Sequence, residues 1–547
     1  MNTIYCKAPA RASVLSRPRA ARCSGVNPAR IASRPLCPAF RDLPCVRDVG
    51  LKAVKSQDAS DTLDAATVQL IADLTAGVDA SVKEVVAKHA EEAKLEGVME
   101  GVDSILRKKV LKSIHELQAG LLEREVEVRL LLLAALCGEH LLLLGPPGTA
   151  KSELSRRLSG LCGGKYFERL LTRFSVPEEL FGPLSMRGLE NDVYERKIDG
   201  YLPTAEVAFI DEIFKANSAI LNALLTLLNE RLFDNGNERL EAPLLCLVGA
   251  SNELPESEEL DALYDRFLIR RQVAQVSSGQ LSKLARLAAG RKDLAVEELS
   301  SDSNGGPVDL DVEKIAMEEF RTAAENAYAS VDVPESVVDI LTSLRDHLQD
   351  KCEPPIYVSD RRFMKAIQLL QVAASADGRS QVNEYDCLLL EHVFGNRPDD
   401  AQKVKSFVVE TIASDPGLQQ SALVFLGLFG RACRVLDNPT DTEIAEATEE
   451  VSALVKLLEA RHGGIAQTLD GEFPDLRATI WQSEGTVQAA VQSLTPQMTE
   501  NRKKVVDLLR EAKLVEACLK EKTEASVLER LLPKRFKQYK KGISGAA

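Results

Sequence analysis

The spacing of apolar positions changes several times along this chain, and each change marks a predicted element. "LLLL" (141–144) is wholly apolar and runs straight into a glycine loop, the pattern of a central parallel strand buried on both faces. Ahead of it, "GLLEREVEVRLLLLAALCG" (120–138) predicts a helix that stops at Gly138, a residue type suited to the position just past a helix C-terminus. Behind the loop, "KSELSRRLSGLC" predicts a helix with Leu154, Leu158 and Leu161 on one face. The alternation then continues. "AEVAFI" (205–210) predicts a strand, and "NSAILNALLTLLNERLF" (217–233) a helix with Leu221, Leu224, Leu225 and Leu228 on one face. "PLLCLVGA" (243–250) and "FLIRRQV" (267–273) predict two further strands. Strands alternating with helices over 116–275 predict an α/β domain whose parallel sheet is covered on both sides.

The flanking regions have a different pattern. Residues 60–115 read as a polar N-terminal helical segment, and 276–312, with "SSDSNGG", as a linker. From 313 to 395 the pattern is helical, and "SDRRFMKAIQLLQVAASA" offers Ser359 or Asp360 as an N-cap. Residues 396–547 are helical again, with breaks expected at Pro416, Pro439 and Gly463-Gly464. Ile444, Val451, Leu454 and Leu458 hold heptad positions, as do Val505, Leu508, Ala512, Val515 and Leu519. Such short stretches predict an antiparallel helical hairpin rather than a long coiled coil. Neither repeats nor a strand-rich module is visible there.

Composition changes this picture at the N-terminus. Residues 1–41 carry eight basic and no acidic side chains and are rich in Ala, Ser and Pro, the composition of an organelle transit peptide spanning about 1–50. A disordered basic tail is the alternative, and composition alone does not separate chloroplast from mitochondrion. The whole chain has a net charge of −14, and residues 1–49 hold nine basic but only two acidic side chains. The remainder is therefore more acidic still, which disfavours nucleic acid as a partner. Of eleven cysteines, four fall in the first 45 residues and the others are scattered without a C-x-x-C pair, so neither a zinc site nor a disulfide framework is expected.

The chemistry is concentrated after "LLLL". A phosphate-binding loop needs Gly, four residues, then Gly-Lys-Ser/Thr. Here Gly145, Pro146, Pro147, Gly148 and Thr149 lead to Lys151-Ser152, but Ala150 occupies the second glycine position. Loop N–H groups and the following helix N-terminus suit phosphate. Lys151 would reach the β- and γ-phosphates, and the Ser152 hydroxyl would ligate Mg²⁺. "VAFIDE" ends an apolar strand in Asp211, a second Mg²⁺ ligand, and Glu212, a general base for the attacking water. Asn252, just past another apolar strand, would orient that water. Arg266 would stabilise transition-state charge in a neighbouring subunit, its alternative being a salt bridge to Asp265 or Asp261. Arg361 or Arg362 would reach phosphates from the second domain, the alternative being an ordinary charged helix start.

These residues carry a family resemblance. "LLGPPGTAKSELSRRL", "LLTRFSVPEELFGPLS", "YERKIDGYLPTAEVAFIDEIFKANSAILNALLTLLNERLFDNG", "SNELPE" with "ALYDRFLIR", and "YVSDRRFMKAIQLLQ" resemble MoxR-family AAA+ ATPases, and within them the RavA type. That family commonly has Ala where this chain has Ala150. The resemblance implies a P-loop AAA+ core with a hairpin inserted in its second helix (180–203), an all-α lid (313–395) and a helical C-terminal extension. It implies ATP and Mg²⁺ as cofactors. Lys151 and Ser152 would be Walker A, Asp211 and Glu212 Walker B, Asn252 sensor 1, Arg266 the arginine finger and Arg361 sensor 2. It implies a ring, expected to be a homo-hexamer, that remodels client proteins, often beside a von Willebrand A domain partner. A transit peptide on such a chain points to the chloroplast stroma. Alternatives are the motor subunit of a metal-inserting chelatase and a nucleotide-gated helical scaffold.

Overall fold

The computed structural model describes residues 65–96, 104–190, 192–255, 257–289, 313–437 and 440–544. The expected transit segment, Pro439 and most of the expected linker lie outside them. Seven strands are present among the described residues: β1 (Leu141–Leu144), β2 (Tyr166–Leu170), β3 (Val207–Asp211), β4 (Leu232–Asn235), β5 (Glu238–Glu241), β6 (Cys246–Ser251) and β7 (Ile269–Gln272). Five form one parallel sheet in the order β2-β3-β6-β1-β7, while β4 and β5 form a separate antiparallel pair. The four leucines of β1 pair with β6 on one side and β7 on the other. Leu141 and Leu143 join one apolar cluster with Val207, Phe209 and Val248; Leu142 and Leu144 join another with Ala208, Ile210 and Leu247. Both faces of β1 are thus buried, which is why its sequence shows no alternation.

Several elements differ from the sequence pattern. The helix expected from 120 begins at Glu125, because Gly120 (φ 75°) and Glu123 (φ 54°) take left-handed conformations after the helix Ile105–Gln118. Gly138 does cap that helix in the left-handed conformation. The helix Ser218–Glu230, capped by the Asn217 side chain, ends at Arg231 (φ 56°), and the chain turns into β4 rather than running on to 233. Leu227 takes the buried position expected of Leu225. Among its described residues the inserted segment 180–203 has a single β-bridge, Leu184–Arg196, and carries the short helix Met186–Glu190. Its return limb is fixed to the β4–β5 turn, where Arg196 N–H donates to Asn235 Oδ1 at 2.7 Å. Part of the expected linker is a helix, Leu281–Ala288.

Helices Met317–Ser330, Glu335–Asp346 and Asp360–Ala376 form the second domain, and Ser359 caps the last. Its core does not stop at 395. Val404, Val408, Phe473, Leu476, Ile480, Trp481 and Leu494 belong to the same cluster as Leu341 and Leu369. Trp481 Nε1 donates to the Ala373 carbonyl at 2.9 Å.

Beyond this core lies a helical bundle. Helices Pro416–Asp437, Asp441–Asp470 and Glu484–Lys520 pack on one another, and the N-terminal helix Ala65–Glu96 lies against the last two. Val451, Leu454, Leu458, Val505, Leu508, Ala512, Val515 and Leu519 share a core with Val78 and Val82. The expected two-helix hairpin is therefore part of a larger bundle that includes a helix from the N-terminal region. Gly463-Gly464 does not break the helix Asp441–Asp470. Gly463 instead faces His89, whose Nδ1 lies 2.9 Å from His462 Nδ1. Pro416 starts a helix, a position at which its missing N–H costs nothing. No helix among the described residues is long and apolar enough to cross a membrane.

Trp481 is the chain's single tryptophan and ties the C-terminal region to the second domain. Trp481→Ala should lower unfolding free energy by about 3–5 kcal/mol through lost burial and the cavity left behind; denaturant titration followed by circular dichroism measures it.

Candidate nucleotide site

Parallel pairing brings the chemistry together. The phosphate loop leaves the C-terminal end of β1, Asp211 ends β3, and Asn252 follows β6. The register joins these ends, since Gly145 N–H donates to the Ser251 carbonyl at 3.0 Å and Val273 N–H to the Leu144 carbonyl at 2.7 Å. Gly145 (φ 153°) cannot be replaced, because a Cβ there would lie 2.2 Å from the Val273 carbonyl oxygen. Gly148 takes φ 78° and Ala150 φ 65°. Ala150 thus adopts the left-handed turn that glycine would make freely, at a cost of roughly 1 kcal/mol.

Lys151 starts the helix Lys151–Cys162 and is buried. Its Nζ donates to the Gly145 carbonyl at 2.5 Å and the Pro146 carbonyl at 3.1 Å, folding the ammonium onto the loop. Burial lowers its pKa, while Asp211 and Glu212 oppose that shift. Thr149 Oγ1 closes the loop onto the Pro146 carbonyl at 3.0 Å. Ser152 follows Lys151 in the helix's first turn. Pro146, Pro147, Asn252 and Gln272 line an open cleft of about 790 Å³ with Gly145.

Glu212 is held in a left-handed conformation (φ 54°, ψ 44°). Its Oε1 accepts from Asn252 Nδ2 at 2.6 Å, and its Oε2 lies 3.2 Å from Lys215 Nζ. Asp211 Oδ1 accepts from the Glu212 N–H at 3.1 Å. Strain at a carboxylate of this kind is a mark of functional sites. Gly145 to Ser152, Asp211, Glu212 and Asn252 therefore gather at one edge of the sheet, as expected from sequence.

The two expected arginines do not join them. Arg266 precedes β7, whose first residue Ile269 is in register with Leu141, so it lies at the opposite edge from the loop. Arg361 acts electrostatically on Arg266 and on His140, the residue before β1. Lys365, one turn further along, pairs with Glu139 at 2.5 Å. Four strand residues, about 13 Å, separate this edge from the phosphate loop. Arg361, expected to reach phosphates from the second domain, lies on the side of that edge. Arg362 is buried and engaged with Asp265 at 2.5 Å and Asn396 at 2.8 Å. The salt bridge considered for Arg266 is absent, and its Nε is buried with no acceptor; burial lowers its pKa, with Arg361 adding to the effect.

Arg124 was not legible. Buried, it donates to the carbonyls of Thr149 at 3.2 Å, Ala274 at 2.8 Å and Glu123 at 2.6 Å. It ties the phosphate loop to the chain leaving β7. Backbone acceptors 25 and 150 residues away leave no sequence signal.

Residues 108–305 match the family model described as the MoxR domain in the MoxR-vWA-beta-propeller ternary systems, and residues 336–408 match an AAA lid domain. The chain belongs to the MoxR family of AAA+ ATPases. It is 41% identical over 292 residues to the uncharacterized protein MJ0812 of Methanocaldococcus jannaschii, covering 53% of this chain and 72% of that one. It is 40% identical over 304 residues to MJ0079 of the same organism, covering 55% and 74%. Protein MoxR of Paracoccus denitrificans is 30% identical over 151 residues, covering 26% of this chain and 43% of that protein. The fold agrees: a P-loop core with a parallel sheet, a lid domain and a helical C-terminal region.

No group of three or more His, Cys, Asp or Glu side chains among the described residues could cage a metal by itself. Hard oxygen donors at Ser152 and Asp211 suit Mg²⁺ that is shared with phosphate oxygens. Ala150→Gly should keep nucleotide affinity within about three-fold, since glycine makes this turn without strain. Ala150→Val should weaken it at least ten-fold, because a β-branched residue is an outlier at positive φ. Titration with a fluorescent ATP analogue distinguishes the two.

Proposed function

We propose that this MoxR-type AAA+ protein is an Mg²⁺-dependent ATPase whose catalytic sites form between subunits of a ring, a homo-hexamer by family resemblance. The observation that carries the proposal is the division of charge across the sheet. One edge holds Lys151, Asp211, Glu212 and Asn252, and the other holds Arg266 without a carboxylate partner. No arginine among the expected site residues reaches the loop of its own subunit, so an adjacent subunit is the natural source.

In this reading the loop N–H groups and Lys151 bind the phosphates, with Lys151 moving off the Gly145 and Pro146 carbonyls as they enter. Ser152 and Asp211 hold Mg²⁺, which when bound offsets phosphate charge. Glu212 takes the proton of the attacking water, and Asn252, already 2.6 Å from it, keeps that carboxylate and the water aligned. Arg266 of the next subunit meets the charge that develops on the γ-phosphate, and Arg361 contributes from the same edge. Hydrolysis drives remodelling of a client protein, with a von Willebrand A domain protein as a partner. Exposed Met186, Leu189, Val193 and Tyr194 on the inserted segment are apolar contacts for that client. The RavA type and a chloroplast location are part of the proposal, supported by the quoted segments and by the acid-free basic stretch at 1–41.

ATP hydrolysis by residues 50–547 should rise in specific activity with protein concentration. Lys151→Ala and Arg266→Ala should abolish it. Glu212→Gln should bind ATP but lose about 10²–10⁴ in rate; unchanged turnover would remove Glu212 from its role. A fluorescent protein fused to residues 1–50 should enter chloroplasts, and retention in the cytosol counts against the location.

A further inference from the structure

Arg266 follows directly on Asp265, and a neighbouring carboxylate is the partner an arginine ordinarily finds. Here that carboxylate is already taken. Asp265 Oδ1 accepts from Arg362 Nη2 at 2.5 Å, and both Asp265 oxygens lie within 3.4 Å of Ser359 Oγ. Arg362 wins the competition because it is buried and its fork is held a second time, with Nη1 donating to Asn396 Oδ1 at 2.8 Å. The same Asn396 oxygen accepts from Arg270 of β7 at 2.8 Å, and Tyr264 Oη donates to the Asn396 carbonyl at 2.5 Å. Among the described residues Arg266 is left with a single acceptor, the Ala262 carbonyl at 2.9 Å. Arg361, next to Arg362 on the same lid helix, places a like charge in its field. The lid helix Asp360–Ala376 therefore acts on Arg266 twice, removing its carboxylate and adding a repelling cation.

We infer that the Arg362–Asp265 pair is a positioning device that keeps Arg266 free for the neighbouring subunit, so that the seating of the lid decides whether the arginine is available. With the lid helix seated, Asp265 is occupied. With it withdrawn, Asp265 turns to Arg266 and holds it within its own subunit. Arg362 touches neither nucleotide nor the reacting atoms. The inference rests on the reading of Arg266 as a group delivered in trans.

The test compares Arg266→Ala, Arg362→Gln and Arg362→Gln/Asp265→Asn in the full chain. Arg362→Gln should hydrolyse ATP at least ten-fold more slowly while binding the fluorescent ATP analogue with unchanged affinity. Mixed with Lys151→Ala subunits, which retain a free Arg266, it should regain activity as Arg266→Ala does. The double variant should recover to within about three-fold of the parent without mixing, because Asp265 can no longer capture Arg266. A purely structural ion pair predicts no rescue by Lys151→Ala subunits, and that result overturns the inference. So does full-rate hydrolysis by Arg362→Gln while Arg266→Ala is dead. If Arg266→Ala itself hydrolyses ATP normally, the reading of Arg266 fails, and the inference with it. Should Arg362→Gln not fold, the double variant, which lacks a stranded charge, is read alone: hydrolysis within about three-fold of the parent supports the inference, and lost hydrolysis at unchanged ATP affinity overturns it.

Discussion

The structure depends on one strand having two parallel neighbours. β1 is only four residues long, yet its pairing with β6 and β7 sets where every candidate site residue stands. The pairing with β6, which in turn pairs with β3, brings Asn252, Asp211 and Glu212 to the phosphate loop. The pairing with β7 sets the depth of the loop itself, since the Val273 carbonyl closes the space above Gly145. It also sends Arg266 to the far edge, because parallel strands place everything that precedes them on the opposite side from everything that follows. A site whose parts belong to both edges is a consequence of strand direction alone.

What the sequence made legible follows the same division. Residues whose partners are close along the chain, or whose type is dictated by chemistry, were readable: the loop 145–152, Asp211 and Glu212 at a strand end, Asn252 past another, Ser359 as a cap. The buried strands were readable because burial on both faces demands an unbroken apolar run. β2 and β4 were not, although the edge strand β7 was. β2 shows only one buried residue, and β4 was hidden at the end of a leucine-rich helical pattern that Arg231 interrupts through its backbone conformation. Arg124 could not be told from a surface arginine, and Arg362 was read as a phosphate contact rather than a lid fastener, as their acceptors are remote in sequence. Gly463-Gly464 was misread as a break: the helix Asp441–Asp470 runs through both, and a side chain would fit at either position, with His89 only in ordinary contact distance of the first.

Arginine is used here in three physically different ways. Arg124 and Arg270 serve backbone carbonyls and hold loops and strand ends in place. Arg362 is divided between a carboxylate and an amide and fastens the lid. Arg266 and Arg361 remain uncompensated, which is costly for charges near a low-dielectric interior. Both are only partly buried, so water can still reach them.

The bundle joins the two ends of the chain. Arg510 reaches back to Asp79 across 431 residues, and His462 to His89 across 373. Chains are made, and threaded through membranes, from the N-terminus, so the helix Ala65–Glu96 emerges long before its packing surface exists. Its Val78 and Val82 must wait until the last long helix has been released. The helix Ala65–Glu96 therefore finds its full packing surface only when residues far along the chain are present.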